Sequence, residues 1–262
     1  MLKWSNPVAG NIYGNVFLWT HEKRPMAVGS FYKWFSPWTH STHEFHSLAT
    51  QPLNARFNDR SVWKPVSAGV KWQTLPDVPK PARAAPSRLL QMRSFSRQFS
   101  VEKTDKDEVR RMRLLSQPVY RYASPKNGVV DGALFVFVQG TDPEVWLLIE
   151  AEDSNPTKSE KEPSIGITQW RYAVARMNAT QFTIKRNGQT IRDIPKVEWK
   201  SLNSADGGYF KINAAELPTG TSEIRQFDGE ESLSGANGSV LSCFGSGATE
   251  NFPRALPGAA LG

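Results

Sequence analysis

The chain has 262 residues, enough for one large domain or two small ones with a substantial apolar core. Its single cysteine, Cys243, excludes an intramolecular disulfide, and no apolar run approaches the roughly 18 residues of a membrane-spanning helix. The formal net charge is +7, and residues 80–121 hold 11 basic and 4 acidic residues, so this segment carries the whole excess. Because the N-terminus lacks the apolar run of a signal peptide, we expect a cytoplasmic protein.

The sequence repeats itself. Residues 3–34 align without a gap on residues 121–152 at an offset of 118. Five positions are identical: Pro7 and Pro125, Gly10 and Gly128, Gly14 and Gly132, Phe17 and Phe135, Pro25 and Pro143. The alignment resumes further on at an offset of 129, so the second copy holds about 11 extra residues after Glu152. The pattern predicts an internal duplication.

The first copy, residues 1–80, has the pattern of antiparallel strands. Runs of β-branched and aromatic residues at 15–20 and 27–34 flank a polar turn at 22–25, which predicts a hairpin. Further strands are predicted at 43–49, 53–57 and 61–64, with Asn58 and Asp59 in the turn between the last two.

Residues 81–118 connect the copies. A proline-rich linker leads into residues 87–99, where Leu89, Met92, Phe95 and Phe99 recur at spacings of three and four. This spacing and the preceding Pro86 predict a helix. Alternating residue types favour a strand at 110–115.

The second copy, residues 119–217, repeats the hairpin at 133–139 and 144–151. Asn187-Gly188 is typical of a type I′ turn and predicts a hairpin from 182–185 and 190–194. Asp131 is expected to hydrogen-bond locally before Gly132. Residues 218–262 are rich in Gly, Ser, Glu and Ala, which predicts a disordered tail.

Together these elements predict a mainly β protein, α+β at most. An internally duplicated antiparallel β unit would form a barrel or a sandwich, with one connecting helix. We favour a single joint core, because each copy alone is too small to leave its sheet edges open.

Several runs resemble a family of uncharacterised bacterial proteins that is abundant in planctomycetes. They are residues 114–122, 131–144, 88–93 and 43–48. The resemblance covers roughly residues 1–200 and excludes the tail. It implies no activity, because no activity is assigned to that family.

The first copy holds all four histidines of the chain, and three of them are closely spaced. His40, His43 and His46 are residue types that bind zinc or another divalent metal. On a strand, however, His43 and His46 would point to opposite faces. A metal site is therefore an alternative hypothesis, and surface or structural histidines are the simpler interpretation.

The connector is the second candidate site, because its arginines could follow the phosphates of a nucleic acid or bind another anion. These arginines are Arg88, Arg93, Arg97, Arg111 and Arg113. A solvated basic face is the competing interpretation.

The repeated residues are turn and strand residues and include no catalytic set, so the sequence assigns no catalytic residue and leaves open whether the protein is an enzyme. We predict a non-enzymatic binding or protein-interaction module whose partner is another protein and which needs no cofactor. A metal-dependent function of the histidine segment and nucleic-acid binding by the connector are the alternatives.

Overall fold

A computed structural model describes residues 2–36, 39–57, 60–153, 168–217 and the backbone of 239–242. Strands account for 57% of the structure and helical residues for 11%, which confirms the mainly β class. Of the two predicted architectures, the described strands form the sandwich, in stacked antiparallel sheets. No helix among the described residues combines the length and the apolar character needed to cross a membrane.

The chain begins with seven strands: β1 Leu2–Ser5, β2 Asn11–His21, β3 Arg24–Ser36, β4 His40–Ser47, β5 Leu53–Phe57, β6 Arg60–Trp63 and β7 Gln73–Thr74. The connector holds α1 Ala85–Ser96, β8 Phe99–Asp105, β9 Glu108–Arg111 and β10 Arg113–Leu114. The second half holds β11 Tyr120–Ser124, β12 Val129–Gln139, β13 Asp142–Asp153, β14 Thr168–Arg176, β15 Gln181–Arg186, β16 Gln189–Ile194 and β17 Tyr209–Asn213, followed by β18 Ser239–Ser242. Three short 3-10 helices lie at Pro125–Asn127, Trp199–Ser201 and Ala214–Glu216.

These strands make four sheets. The first sheet has the order β1-β2-β3-β4-β17, and the second has the order β10-β12-β13-β14-β7, with β11 also paired to β12. A third sheet has the order β16-β15-β8-β9, and a small sheet has the order β18-β5-β6. The connector therefore contributes strands to both the second and the third sheet.

The first and second sheets share one core, which joins the two halves of the chain. Their facing sides form a single apolar cluster, the shared core, from Trp4, Ile12, Val16, Val28, Tyr32, Leu48, Val70, Leu134, Val136, Val138, Trp146, Leu148, Ala173, Ala175 and Met177. Alternate residues of each strand face this core, since side chains alternate across a strand. The expectation of a joint core agrees with this packing.

Strand registers follow the sequence repeat. Phe17 of β2 lies opposite Gly29 of β3. The residues 118 positions later, Phe135 of β12 and Leu147 of β13, also lie opposite each other. Likewise β1 places Trp4 opposite Gly14, as β11 places Tyr122 opposite Gly132. The pairing of β3 with β4 recurs in the pairing of β13 with β14. Residues of β13 lie 118 positions after their equivalents in β3, and residues of β14 lie 129 positions after their equivalents in β4. The two hairpins thus have the same pairing geometry.

The two sheets differ in what covers their outer faces. On the second sheet, α1 and the third sheet bury residues such as Phe135, Phe137 and Ile149 in another apolar cluster. Phe95 of α1 contacts Trp170 at 5.3 Å between ring centroids. Nearly every residue of β12 and β13 is consequently buried, which explains their continuous apolar sequences.

Several sequence predictions differ from the structure in detail. The helix spans Ala85–Ser96 rather than 87–99, because Phe99 already pairs with Arg186 in the third sheet. A hairpin of β8 and β9 precedes β10, whereas the sequence predicted one strand at 110–115. Asn187 and Gly188 form the predicted turn with φ of 49° and 81°.

Two predictions concern residues at the limits of the description. The turn residues Asn58 and Asp59 lie outside the described residues, although β5 and β6 pair on either side of them. Most of the tail predicted to be disordered, residues 218–262, is also outside them. Within that tail the four residues of β18 are described, as a strand parallel to β5.

Two of the repeated glycines, Gly14 and Gly132, lie under aromatic rings. A Cβ added to Gly132 would lie 2.6 Å from the ring of Tyr122, and one added to Gly14 would lie 2.4 Å from the ring of Trp4. Both rings are fixed, because the Tyr122 hydroxyl donates to Glu150 and the Trp4 indole donates to Ser30. The closeness of ring and backbone explains why glycine recurs at both positions.

We therefore expect Gly132→Ala to lower the free energy of unfolding by about 1–3 kcal/mol, since overpacking forces a fixed ring to move. Gly208→Ala is the matched control, because its added Cβ would make only ordinary contact, 3.5 Å from Gly69. Urea denaturation of the two variants measures both effects. Equal stability of the two variants would show that the ring can move without cost.

Candidate functional site

The three candidate metal ligands lie on β4 but do not converge. The strand places His43 on the opposite face from His40 and His46. The His43 ring packs on Phe31 at 4.4 Å, whereas the His40 ring stacks on Trp34 at 5.9 Å. Six residues of strand, about 20 Å, separate His40 from His46.

His46 is held as a neutral structural side chain. Its Nε2 donates to the carbonyl of Gly69 at 3.0 Å, which leaves the lone pair on Nδ1. Burial lowers the pKa of His46 to about 4, and burial also lowers the pKa of His43 to about 4. Across the described part of the chain, no three His, Cys, Asp or Glu residues are grouped to hold a metal ion. The geometry therefore gives the metal hypothesis no support.

Two of the five connector arginines turn inward. The first is Arg88, which donates to Asp131 at 2.9 Å. Arg121, which is not one of the five, binds the same carboxylate at 2.7 Å. The expectation of a local turn bond for Asp131 is wrong, because its carboxylate is bound by Arg88 of α1 and by Arg121 of β11. The Nε of Arg93 is buried with no hydrogen-bond partner among the described residues. Arg88 is therefore paired with Asp131, and Arg93 is half-buried.

The other three arginines converge. Arg97, Arg111 and Arg113 line one open cleft of about 480 Å³ between the end of α1, β9 and β10. Its remaining lining residues are Phe99, Ser100, Met112, Leu114, Ser116 and Phe137. The sequence identified these arginines by composition alone, and the pairing of β8 with β9 brings them together.

Two buried polar networks tie the sheets together. In the first, Glu150 is fully buried and accepts hydrogen bonds from Arg24, Tyr122 and Arg171. The guanidinium groups of Arg24 and Arg171 also lie over the ring of Trp72, at 5.5 and 4.7 Å. Each carboxylate oxygen of Glu150 accepts two hydrogen bonds, so this network is structural rather than reactive.

The second network contains three carboxylates. Glu44 accepts a hydrogen bond from Tyr209, and burial followed by the charge of Glu44 raises the pKa of that phenol well above its usual value. Asp142 accepts from Asn6 at 2.9 Å, and burial followed by the charge of Glu144 raises the pKa of Asp142. No sequence pattern indicates this network, because its members come from the segment after β1 and from β4, β13 and β17.

Glu144 is the least satisfied member. Its Oε1 lies 2.6 Å from Lys103 Nζ, but its buried Oε2 has no partner among the described residues. Burial raises the pKa of Glu144 to about 7, against the opposing effect of Lys103. The folded protein therefore retains a proton here that the unfolded chain releases near pH 4.5.

The third candidate is the free edge of β2 and the face beside it. Among the described residues, β1 pairs with β2 only from Tyr13 to Val16, and no strand pairs with Phe17–Thr20 on that side. A cleft of about 460 Å³ adjoins this edge. The side chains that line it are mostly apolar, and they come from Leu2, Val16, Phe17, Leu18, Trp19, Thr20, Val28, Val119, Tyr120, Leu134 and Trp146.

The equivalent edge of β12 is occupied. Arg113 pairs with Val138 and Leu114 with Phe137. The Leu115 amide then donates to the Val136 carbonyl at 3.0 Å. At an offset of 118, the edge positions Val136 and Val138 correspond to Leu18 and Thr20 on β2. The first half therefore leaves open the position that the connector fills in the second half.

The outer face of the first sheet is also less covered than its counterpart. Tyr13 and Phe35 are 52% and 41% exposed, with their rings 5.9 Å apart. Phe17 and Phe31 are half-buried, whereas the equivalent Phe135 is 0% exposed. We call Tyr13, Phe17, Phe31 and Phe35 the aromatic face.

Comparison with known proteins adds no constraint on function, since no family model, curated protein or solved structure matches this chain.

The pKa of Glu144 predicts a pH dependence of stability. Because the folded pKa is raised, the stabilising protonated state is fully present below the unfolded pKa and is lost as pH rises through about 7. We therefore expect Glu144→Gln, which cannot ionise, to gain stability relative to the native chain between pH 5 and pH 8.

Urea midpoints of both proteins at pH 5 and pH 8 measure this difference. Glu102→Gln is the matched control, because Glu102 is only partly buried and is paired with Lys185 at 2.7 Å. A Glu144→Gln variant that loses more stability at pH 8 than at pH 5 would show that the Lys103 ion pair outweighs the cost of burial.

Proposed function

We propose that this protein is a non-enzymatic protein-interaction module that binds an extended segment of a partner protein at the free edge of β2. The observation that carries the proposal is the difference between equivalent edges. Residues 113–115 pair with β12, whereas no described residue pairs with Phe17–Thr20 on the side away from β3. An unpaired strand edge offers backbone donors and acceptors for strand addition.

The surroundings of the edge favour a protein strand over a polar small molecule. The adjoining cleft of about 460 Å³ can take apolar side chains from alternate positions of an added strand. The opposite side chains of that strand would lie beside Phe17 and Trp19, which alternate on the outer side of β2 and are only half-buried. Exposed aromatic residues are enriched at the centre of protein interfaces.

The second half supplies a guide to the chemistry of the partner. Residues 112–115 are Met-Arg-Leu-Leu, in which Met112 is buried and Leu114 packs partly against the core. A partner segment with apolar residues at alternate positions would fit the β2 edge in the same way. The equivalent registers of the two hairpins also support an origin by internal duplication, after which only one edge is filled by the described chain.

A synthetic peptide of residues 109–119 tests the edge directly, because it contains residues 113–115, which occupy the equivalent edge of β12. We expect saturable binding with backbone amide shifts concentrated at residues 16–20 in NMR titrations. Methylation of the backbone nitrogen of Leu115 in this peptide should weaken binding about tenfold. The methyl group removes one backbone hydrogen bond and holds the peptide away from the edge of β2.

Thr20→Pro removes an edge donor, and Thr20→Ala is its control. Weaker binding in the proline variant alone would support strand addition, whereas equal binding in all three proteins would contradict it. Concentration-dependent self-association that Thr20→Pro abolishes would instead identify a second copy of this chain as the partner. Shifts confined to the aromatic face would exclude the edge as the binding element.

A further inference from the structure

The arginine cleft is a separate surface that the protein-interaction proposal does not use. It is lined by Arg97 at the end of α1, Arg111 on β9 and Arg113 on β10. All three side chains are exposed. Arg113 donates to the carbonyl of Gly140 at 2.8 Å, which fixes one guanidinium at the rim of the cleft.

The charge of the cleft is not neutralised by its own lining, which contains no carboxylate. Glu102 lies opposite Arg111 in the β8–β9 pair, but its two carboxylate oxygens accept hydrogen bonds from Lys185 at 2.7 and 2.8 Å. Within the described part of the chain, Arg97 and Arg111 make no ion pair. Two guanidinium groups thus remain available to an anion, with a third beside them.

The volume of the cleft and the residues that line it favour one kind of anion. A volume of about 480 Å³ lies within the range of small-molecule sites, roughly 300–1,000 Å³. Guanidinium groups bind phosphate through paired hydrogen bonds, and several of them together match more than one negative charge. Leu114, which is partly exposed, adds an apolar wall on which the uncharged part of a ligand could rest.

A nucleic-acid strand fits less well. Binding along a strand needs a continuous basic track and exposed aromatic rings for stacking. Arg88 is bound to Asp131, Arg93 is half-buried, and the aromatic rings of the cleft, Phe99 and Phe137, are 4% and 2% exposed. The basic surface is therefore a compact site rather than a track.

We infer that the cleft formed by Arg97, Arg111 and Arg113 binds a small phosphorylated molecule carrying at least two negative charges. The connector then has two roles: its strands complete the second and third sheets, and its arginines hold a ligand at the junction between them.

Isothermal titration calorimetry with inorganic pyrophosphate, at constant ionic strength, tests the site in the full chain. We expect saturable binding at one site. Arg97→Gln and Arg111→Gln should each weaken it about tenfold, as expected for the loss of a charged hydrogen bond. Arg110→Gln is the matched control, because Arg110 is a neighbour on β9, lies outside the cleft lining and pairs with Glu108. Its effect should stay below about twofold.

Adenosine diphosphate and single-stranded DNA of about ten nucleotides distinguish the sources of phosphate. The inference is supported if pyrophosphate and adenosine diphosphate both bind more tightly than DNA and both depend on the same arginines. It would be overturned by an absence of saturable pyrophosphate binding, by equal losses in Arg97→Gln and Arg110→Gln, or by DNA binding more tightly than pyrophosphate. None of these outcomes depends on peptide binding at the β2 edge.

Discussion

The packing of the first sheet on the second is the constraint on which the rest of the structure depends. Each sheet is a hairpin-based unit with one strongly apolar side, and neither unit could bury that side alone. Val28 of one hairpin and the equivalent Trp146 of the other both contribute to the shared core. Once these sides face each other, the opposite faces of both sheets must point outward. Arg24 crosses from the first half to the buried Glu150 of the second and helps to fix this arrangement.

The two outer faces then differ, although the strands beneath them pair in the same register. On the second sheet, Asp131 anchors Arg88 of α1, and the helix lies over the sheet. On the first sheet, the equivalent of Asp131 is Tyr13, a side chain that cannot form such an ion pair and that remains half exposed. A few substitutions on one face therefore separate a covered structural layer from a surface available to a partner.

The connector explains both proposed binding properties. Arg113–Leu114 closes the edge of β12, and the same residues line the arginine cleft. The equivalent edge on β2 has neither this strand nor its arginines among the described residues. One half of the protein thus offers a basic cleft, and the other offers an apolar cleft beside an unpaired edge.

The sequence by itself determined the local structure: the repeated hairpins, the helix of the connector and the turn at Asn187. These features depend on neighbouring residues and on the alternation of side chains, which are visible in one dimension. Only the tertiary structure decided which polar residues act together. The packing of α1 on the second sheet turned Arg88 toward Asp131, and the pairing of β8 with β9 brought Arg111 to Arg97. These contacts join distant segments, so they depend on which faces and edges meet.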